Sequence, residues 1–373
     1  MNNYTTPLIT QVLPNLQGGG AERIAVNLAN DWISRGYRVD FALMDVRGEF
    51  LAELEEQVGV YNLQARRIRQ VPLSLLGYLK ERQPDIVLAH MWPLSSAAVL
   101  GWKMAGSPGK LFLCEHNGLI GHVQRTLSTP LVIAKMVLRW SHPKATGLVA
   151  VSKGVARDLT QLSNLPSKSV QVIYNPVVAG EIAPRLLENS VNREQLWQGQ
   201  FSKNILSVGN LKQVKNFPLL LEAFARLAED LNAGLVILGE GSERNYLENR
   251  ITELGLQHRV RLPGFISDPT PWFEAADLFV LSSDFEGLPT VLIEALACGT
   301  PVVSTACPYG PDEILDYGRY GILVPVNDTI SLAQGIRTAL NYTWNPAVLQ
   351  GRALEFSIPK QSTAYLNLFG LNF

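Results

Sequence analysis

Residues 8–34 read LITQVLPNLQGGGAERIAVNLANDWIS, and the order of physical types in this stretch decides the fold. Leu8–Leu13 is short and largely apolar, as a buried strand should be. Pro14, Asn15 and the glycines Gly18, Gly19 and Gly20 interrupt it. Beyond them Ala21, Ile24, Ala25, Leu28 and Trp32 recur at the spacing of one helix face. Strand, tight turn and helix make the beginning of a βα unit.

The same alternation continues along the rest of the chain. Further strands are expected at Val39–Met44, Asp85–Ala89, Leu111–Cys114, Leu148–Val151 and Val170–Ile173, then at Asn204–Val208, Gly234–Leu238, Val260–Leu262, Leu278–Leu281, Val302–Ser304 and Gly321–Val324. Repeated βα units imply parallel sheets with helices on both faces. At 373 residues the chain is too long for one ordinary core. The expectation is an α/β protein of two doubly wound, Rossmann-like domains. The first runs over 1–177 and the second over 178–355, with the break near Asn175-Pro176-Val177 and a polar, non-periodic stretch from Ala179 to Gln200 after it. Ligands bind outside the carboxyl ends of parallel strands, so the expected site is a cleft between two facing domains.

A hydrophobic fraction of 47% with 17% charged residues is ordinary for packed globular cores and argues against a disordered chain. The net charge of −1 conceals a split. Residues 1–177 carry 18 Lys and Arg against 12 Asp and Glu, and residues 178–373 carry 14 against 21. A basic first half suits an anionic partner such as a lipid phosphate or membrane surface, unless the excess is merely scattered. The three cysteines, Cys114, Cys298 and Cys307, form no CxxC pair and read as reduced thiols. Met1 to Thr6 has neither the basic nor the apolar region of a signal peptide, and no run approaches a membrane span. A cytoplasmic protein is expected, at most peripheral on the cytoplasmic face of the inner membrane.

Several segments carry chemistry. The glycine turn at 18–20 lets backbone N–H groups approach a ligand, and the helix after it adds partial positive charge suited to phosphate. It lacks GxGxxG spacing, so a dinucleotide fingerprint is excluded, and a plain tight turn is the alternative. Glu286 and Glu294 bracket Gly287-Leu288-Pro289-Thr290 after a buried strand. If that spacing is wholly helical the two carboxylates stand about 12 Å apart along the axis. They then contact different parts of one extended ligand rather than share a metal or proton. Lys212 and Lys215 follow another strand and can balance a diphosphate, or are solvated loop lysines. His116 follows the strand ending at Cys114 and can bond a sugar hydroxyl or a leaving phosphate. His90, His122, His142 and His258 read as structural. No DxD, HExxH, paired Cys/His cluster, GxSxG elbow or Walker loop occurs, so no metal or cofactor is expected.

Taken together these segments resemble the retaining glycosyltransferases of family 4, also called glycosyl transferases group 1. The resemblance covers nearly the whole chain. It rests on the pair Glu286 and Glu294 within EGLPTVLIEALACGTPVV, on GGGAER at 18–23, EHN at 115–117, VSKGV at 151–155, YNPV at 174–177 and LGEG at 238–241, and on Pro263-Gly264-Phe265-Ile266. It implies the GT-B fold, in which a terminal segment, here 356–373, crosses back as a helix onto the first domain. It also implies roles. Glu294 holds the ribose of a nucleotide sugar, and Gly264 and Ile266 lie at the base. Glu286, with the amides of Gly287, Leu288 and Thr290, lies at the transferred sugar and phosphate. Lys215 contacts the diphosphate, Gly19 and Gly20 lie under it, and His116 contacts the sugar. The first domain binds the acceptor and the second the donor.

One departure stands out. Asn210 occupies the place of the family's usual diphosphate-binding Arg, and Lys212 is the candidate replacement. The segment Pro308 to Leu315 resembles a subgroup that builds bacterial surface polysaccharides and lipid-linked oligosaccharides, mostly from UDP-sugars. The expected reaction therefore moves a hexose or N-acetylhexosamine from a UDP-sugar to a saccharide or polyprenyl-diphosphate-linked acceptor, with retention and without a metal. Nucleic acid is not an expected partner. Two rivals are a sugar-nucleotide epimerase of similar architecture and a non-catalytic scaffold subunit. Finally, Pro130 to Trp140 is an apolar helix candidate with Lys135 and Arg139 one turn apart. With Arg125 and Lys144 it suits an anionic membrane. The bland reading is a core-facing helix with two snorkelling cations.

Overall fold

The computed structural model describes residues 6–120, 130–182, 196–197, 201–228 and 230–371. The chain divides into two compact units, Met1–Val177 with Ser357–Phe373, and Val178–Phe356. Most of the polar stretch after Ala179 lies outside the described residues, as do His122 and Arg125.

In the first unit the described strands are β1 (Leu8–Leu13), β2 (Arg38–Leu43), β3 (Gly59–Asn62), β4 (Ile86–His90), β5 (Lys110–Glu115), β6 (Gly147–Ala150) and β7 (Val170–Val172). They form one sheet in the order β3-β2-β1-β4-β5-β6-β7, and every pairing is parallel. The helices α1 (Gly20–Ser34), α2 (Val71–Arg82), α3 (Leu94–Met104), α4 (Leu131–Ser141) and α5 (Lys153–Ser163) connect them. The strand order reverses between β1 and β4, which makes their carboxyl ends the switch point where ligands bind in such sheets. Strand β3 was not expected from the sequence. Gly59-Val60-Tyr61-Asn62 is an edge strand whose residues alternate between half-buried and exposed, so it has no apolar run to detect.

The second unit repeats the plan. Its strands β8 (Lys203–Val208), β9 (Ala233–Leu238), β10 (Val260–Gly264), β11 (Leu278–Leu281), β12 (Val302–Thr305) and β13 (Ile322–Val324) order as β10-β9-β8-β11-β12-β13, again parallel. Between and after them lie α6 (Phe217–Ala228), α7 (Arg244–Glu253), α8 (Thr270–Ala275), α9 (Thr290–Ala297), α10 (Pro311–Ile314), α11 (Thr329–Asn341) and α12 (Pro346–Ala353). Phe217, Leu220, Leu221 and Phe224 of α6 bury one face among Ile205, Leu235, Leu332 and Ile336. The switch point here lies between β8 and β11.

The last helix, α13 (Ile358–Phe369), belongs to the first unit. Tyr365 and Phe369 stand edge-on to Trp32 of α1, at 6.2 and 5.7 Å between ring centroids. Phe369 also meets Phe112 of β5 at 4.8 Å. All four rings are almost wholly buried. The helix is pinned at both ends: Arg35 Nη2 donates to the Pro359 carbonyl at 3.1 Å, and Lys110 Nζ donates to the Phe369 carbonyl at 2.9 Å, a cation at a helix C-terminus.

Candidate functional site

In the second unit the loops that leave β8 and β11 meet at the switch point. Lys215 Nζ donates to Glu286 Oε1 at 2.6 Å, and Ser283 Oγ donates to the same oxygen at 2.6 Å. Ser282 Oγ ties the two loops by donating to the Lys215 carbonyl at 2.9 Å. The Glu286 side chain is only 11% exposed and that of Lys215 21%, so the pair is held in a poorly solvated place. The neighbouring Cys307 thiol is pushed well up, first by burial and then by the charge of Glu286.

Glu286 and Glu294 are not joined by a continuous helix. Pro289 is extended (φ −68°, ψ 103°) and α9 begins only at Thr290. The conditional 12 Å separation therefore does not apply: Glu286 sits on the loop, and Glu294, half-buried, sits one turn into the helix beyond Thr290 on the same face. Among the described residues no side chain caps the α9 N-terminus. The loop 287–289 is pressed from outside by Gly310, whose backbone is left-handed (φ +102°). A Cβ there would come within 2.7 Å of Pro289 Cδ and 2.9 Å of Leu288 Cα.

The loops after β8 and β9 are backbone to backbone. Gly209 N donates to the Leu238 carbonyl at 2.9 Å and Leu211 N to the Glu240 carbonyl at 2.8 Å. A Cβ on Gly239 would meet Gly209 O at 2.0 Å, which accounts for the LGEG segment. Gly239 N donates to the Gly264 carbonyl at 2.8 Å, and half-buried Ile266 follows. Asn210 and Lys212 are exposed. Lys212 lines a cavity of 380 Å³ with Asn216, Glu243, Tyr246, Asp284 and Asn327, and neither Lys215 nor Glu286 lines it. The structure thus brings Lys215 to Glu286 but leaves Lys212 aside.

In the first unit a buried polar group occupies the switch point. His116, after β5, has its Nε2 2.9 Å from Nδ1 of His90, the last residue of β4. His90 Nε2 lies 3.0 Å from Gln11 Oε1 on β1, and Gln11 Nε2 donates to the Ala25 carbonyl at 2.8 Å. Burial holds His90 well below the usual histidine range and His116 at about 4, the latter although the Glu115 charge opposes the shift. Glu115 itself accepts from Trp92 N and Ser95 Oγ at 2.8 and 2.7 Å. Sequence reasoning missed Gln11 and took His90 as structural. The only signal was a glutamine inside an apolar strand. Among the described residues, His90, Cys114 and His116 offer three metal-type atoms within 4.8 Å of one another. Each side chain already has a partner, Cys114 Sγ lying 3.2 Å from Tyr365 OH.

The glycine turn is not vacant of anions. Gly18 N donates to Glu49 Oε1 at 2.8 Å, and Glu22 lies so close that a Cβ on Gly19 would meet its Oε2 at 2.1 Å. Burial, with the charge of Glu49 adding, raises the Glu22 carboxyl. Gly20 opens α1 with nothing near its missing side chain. Helix α4 turns one narrow stripe to the core and leaves a broader apolar face outside it. It buries only Ala134, Leu138 and Ser141, while Val132, Ile133, Met136 and Trp140 are exposed by 68, 50, 66 and 44%. Half-buried Lys135 and exposed Arg139 lie among them, and Lys144 Nζ stands 4.6 Å over the Trp140 ring. No helix among the described residues is long and apolar enough to cross a membrane.

Comparison with known proteins covers both units. Residues 18–180 match the model of Glycosyltransferase Family 4, and residues 191–348 that of Glycosyl transferases group 1. The chain is 30% identical over 324 residues to a lipopolysaccharide core biosynthesis glycosyltransferase, LpsE, of Rhizobium meliloti, covering 85% of this chain and 84% of that one. It is 36% identical over 209 residues to N-acetylgalactosamine-N,N'-diacetylbacillosaminyl-diphospho-undecaprenol 4-alpha-N-acetylgalactosaminyltransferase of Campylobacter jejuni, a match spanning 56% of this chain and 54% of that relative. The fold is similar to that of Anabaena HepE solved with UDP and glucose, with a TM-score of 0.80 at 22% identity over 97% of this chain and 98% of that one.

Proposed function

Since the chain belongs to the family 4 glycosyltransferases, with the α/β fold of GT-B enzymes, we propose that it moves a hexose or N-acetylhexosamine from a UDP-sugar to a saccharide carried on a polyprenyl diphosphate, with retention, in the building of a surface polysaccharide or glycan. The observation that carries this reading is the Lys215–Glu286 pair at the β8/β11 switch point, beside the uncapped start of α9. The leaving group is a nucleoside diphosphate. Its charge is met by Lys215, which exchanges Glu286 for a phosphate, and by the first amides of α9, with no metal taking part. Glu286, still held by Ser283, then faces the positive charge that builds on the sugar. Glu294 and Thr290 share a helix face that suits the ribose, and the Gly264–Ile266 loop suits the base.

The acceptor belongs to the first unit in this proposal. Relatives whose names include an undecaprenyl diphosphate acceptor support a lipid-linked substrate. Helix α4 supports it from the other side, since its exposed apolar residues and cations fit the surface of an anionic cytoplasmic leaflet. The test is a thermal-shift screen with UDP, GDP and ADP and their sugars, followed by transfer of labelled sugar to undecaprenyl-diphosphate saccharides. Stabilisation by UDP-sugars that is lost in Glu294→Ala is expected. Stabilisation by another nucleotide, or turnover of the donor to an epimer with no acceptor, overturns the proposal.

A further inference from the structure

Three hydrogen bonds link Ala25, Gln11, His90 and His116, and with neutral rings they leave one consistent placement of protons. The Ala25 carbonyl only accepts, so the Gln11 amide must turn its nitrogen to it at 2.8 Å. That leaves Gln11 Oε1 facing His90 Nε2 at 3.0 Å, and an amide oxygen only accepts, so His90 carries its proton on Nε2. A neutral His90 then has a bare lone pair on Nδ1. His116 Nε2, 2.9 Å away, must donate to it. His116, when neutral like His90, in turn keeps a bare lone pair on Nδ1. That atom is buried, in a residue only 7% exposed, and has no hydrogen-bond partner among the described residues.

We infer that Gln11 and His90 are positioning residues that fix His116 as a hydrogen-bond acceptor at Nδ1, so that the ligand group meeting it is a donor, a sugar hydroxyl or amide N–H, and not a phosphate or carboxylate oxygen. Two lone pairs facing each other repel, and a buried acceptor left without a donor is destabilising. The sequence leaves His116 open to either a sugar hydroxyl or a leaving phosphate, and the chain of bonds together with a neutral His116 ring decides for the hydroxyl. Neutral rings are what burial favours here, because the shift of both His90 and His116 is downward. Metal binding with Cys114 is the alternative use of these side chains, and it would compete with the Gln11-to-His116 chain for the ring nitrogens. The inference rests on the proposed donor reading only for the identity of the ligand; the proton order stands on the first unit alone.

The experiment is a long-range ¹H–¹⁵N correlation spectrum of the intact protein labelled at histidine, assigned with His90→Asn and His116→Asn. At pH 7 both rings are expected as neutral tautomers protonated on Nε2. An Nδ1–H form or an imidazolium at His116, or loss of both Nε2–H signals on adding zinc at equimolar concentration, overturns the proton order. Gln11→Met removes the acceptor for His90. The expected results are a second tautomer at His116, a fall in kcat/KM of about 3- to 10-fold and a lower melting temperature, since the Ala25 carbonyl and His90 lose their buried partner, with UDP binding unchanged. An unchanged His116 spectrum in this variant refutes the positioning role. Adding UDP alone separates the two readings. Binding that leaves His116 neutral supports both, binding that converts it to imidazolium overturns the inference, and absence of binding overturns the donor reading while the ligand-free spectrum still decides the proton order.

Discussion

Lys215 Nζ and Glu286 Oε1 stand 2.6 Å apart on loops that leave adjacent strands, so each holds the other's charge in a place with little water. Removing one partner strands the other. Lys215→Met is expected to destabilise the protein by about 2–3 kcal/mol, because Glu286 loses its cation. Glu286→Gln keeps an acceptor for Ser283 and Lys215 and is expected to melt close to the parent while turnover falls at least 100-fold. Denaturant titration and initial rates on the two variants check this. A Glu286→Gln enzyme with near-parental turnover would remove Glu286 from the chemistry.

Gly310 and Gly318 both adopt left-handed backbone, at φ +102° and +99°. Only Gly310 has close neighbours, since a Cβ on Gly318 meets nothing nearer than 3.8 Å. Each Ala substitution should cost about 1 kcal/mol from backbone strain. Gly310→Ala should also displace Leu288 and Pro289 and lower nucleotide-sugar affinity, which Gly318→Ala should leave unchanged. Calorimetric binding of UDP-sugars to both variants is the check, and equal losses would show that the 287–289 loop is not held by Gly310.

Phe369 closes the first unit by packing on Trp32, Phe112 and Tyr365. Phe369→Ala should cost about 3–5 kcal/mol, the range for a large buried ring. The loss should appear in hydrogen exchange of β1 and β5 and spare β8 and β11. Faster exchange confined to the second unit would contradict the placement of the terminal helix.

The strands that could be read in advance are those buried on both faces. Leu8–Leu13 and Leu278–Leu281 are observed with the expected bounds because every residue in them is buried, Thr10 and Gln11 included. Edge strand β3 escaped because half of its surface faces solvent. The α4 pattern showed an apolar helix but not which residues its neighbours cover; that depends on how few side chains reach the core. The polar centre of the first unit was hidden for a different reason. His90 and Cys114 pair across β4 and β5 though 24 positions apart, and Gln11 joins from β1, so only the sheet order makes them neighbours. The Lys215–Glu286 contact has the same origin. Its residues were expected at one ligand from the family resemblance, and the β8–β11 pairing supplies the physical cause.

His116 and His90 also set a pH response. Their folded pKa values lie below the ordinary histidine value near 6.5, His116 at about 4. Between those limits the unfolded chain binds more protons than the folded one, so stability falls as pH falls. It is fully present above about pH 6.5 and is lost progressively toward pH 4. Melting curves from pH 8 to 4 should drop over this window, and His116→Gln should flatten the drop. A parallel drop in that variant would assign the acid sensitivity to other groups.

Helix α4 offers Val132, Ile133 and Met136 to solvent beside Lys135 and Arg139. A membrane-facing role requires both kinds of residue: the apolar ones to enter the interface and the cations to draw the helix to anionic lipid. Two variants separate the contributions. Ile133→Asp with Met136→Asp should abolish flotation with phosphatidylglycerol vesicles at any salt concentration. Lys135→Gln with Arg139→Gln should weaken it most at low salt, by about 1 kcal/mol per charge. These positions contribute little to the core, so melting temperatures should hold. If the parent protein fails to float with anionic vesicles at low salt, the exposed face of α4 serves something other than a bilayer.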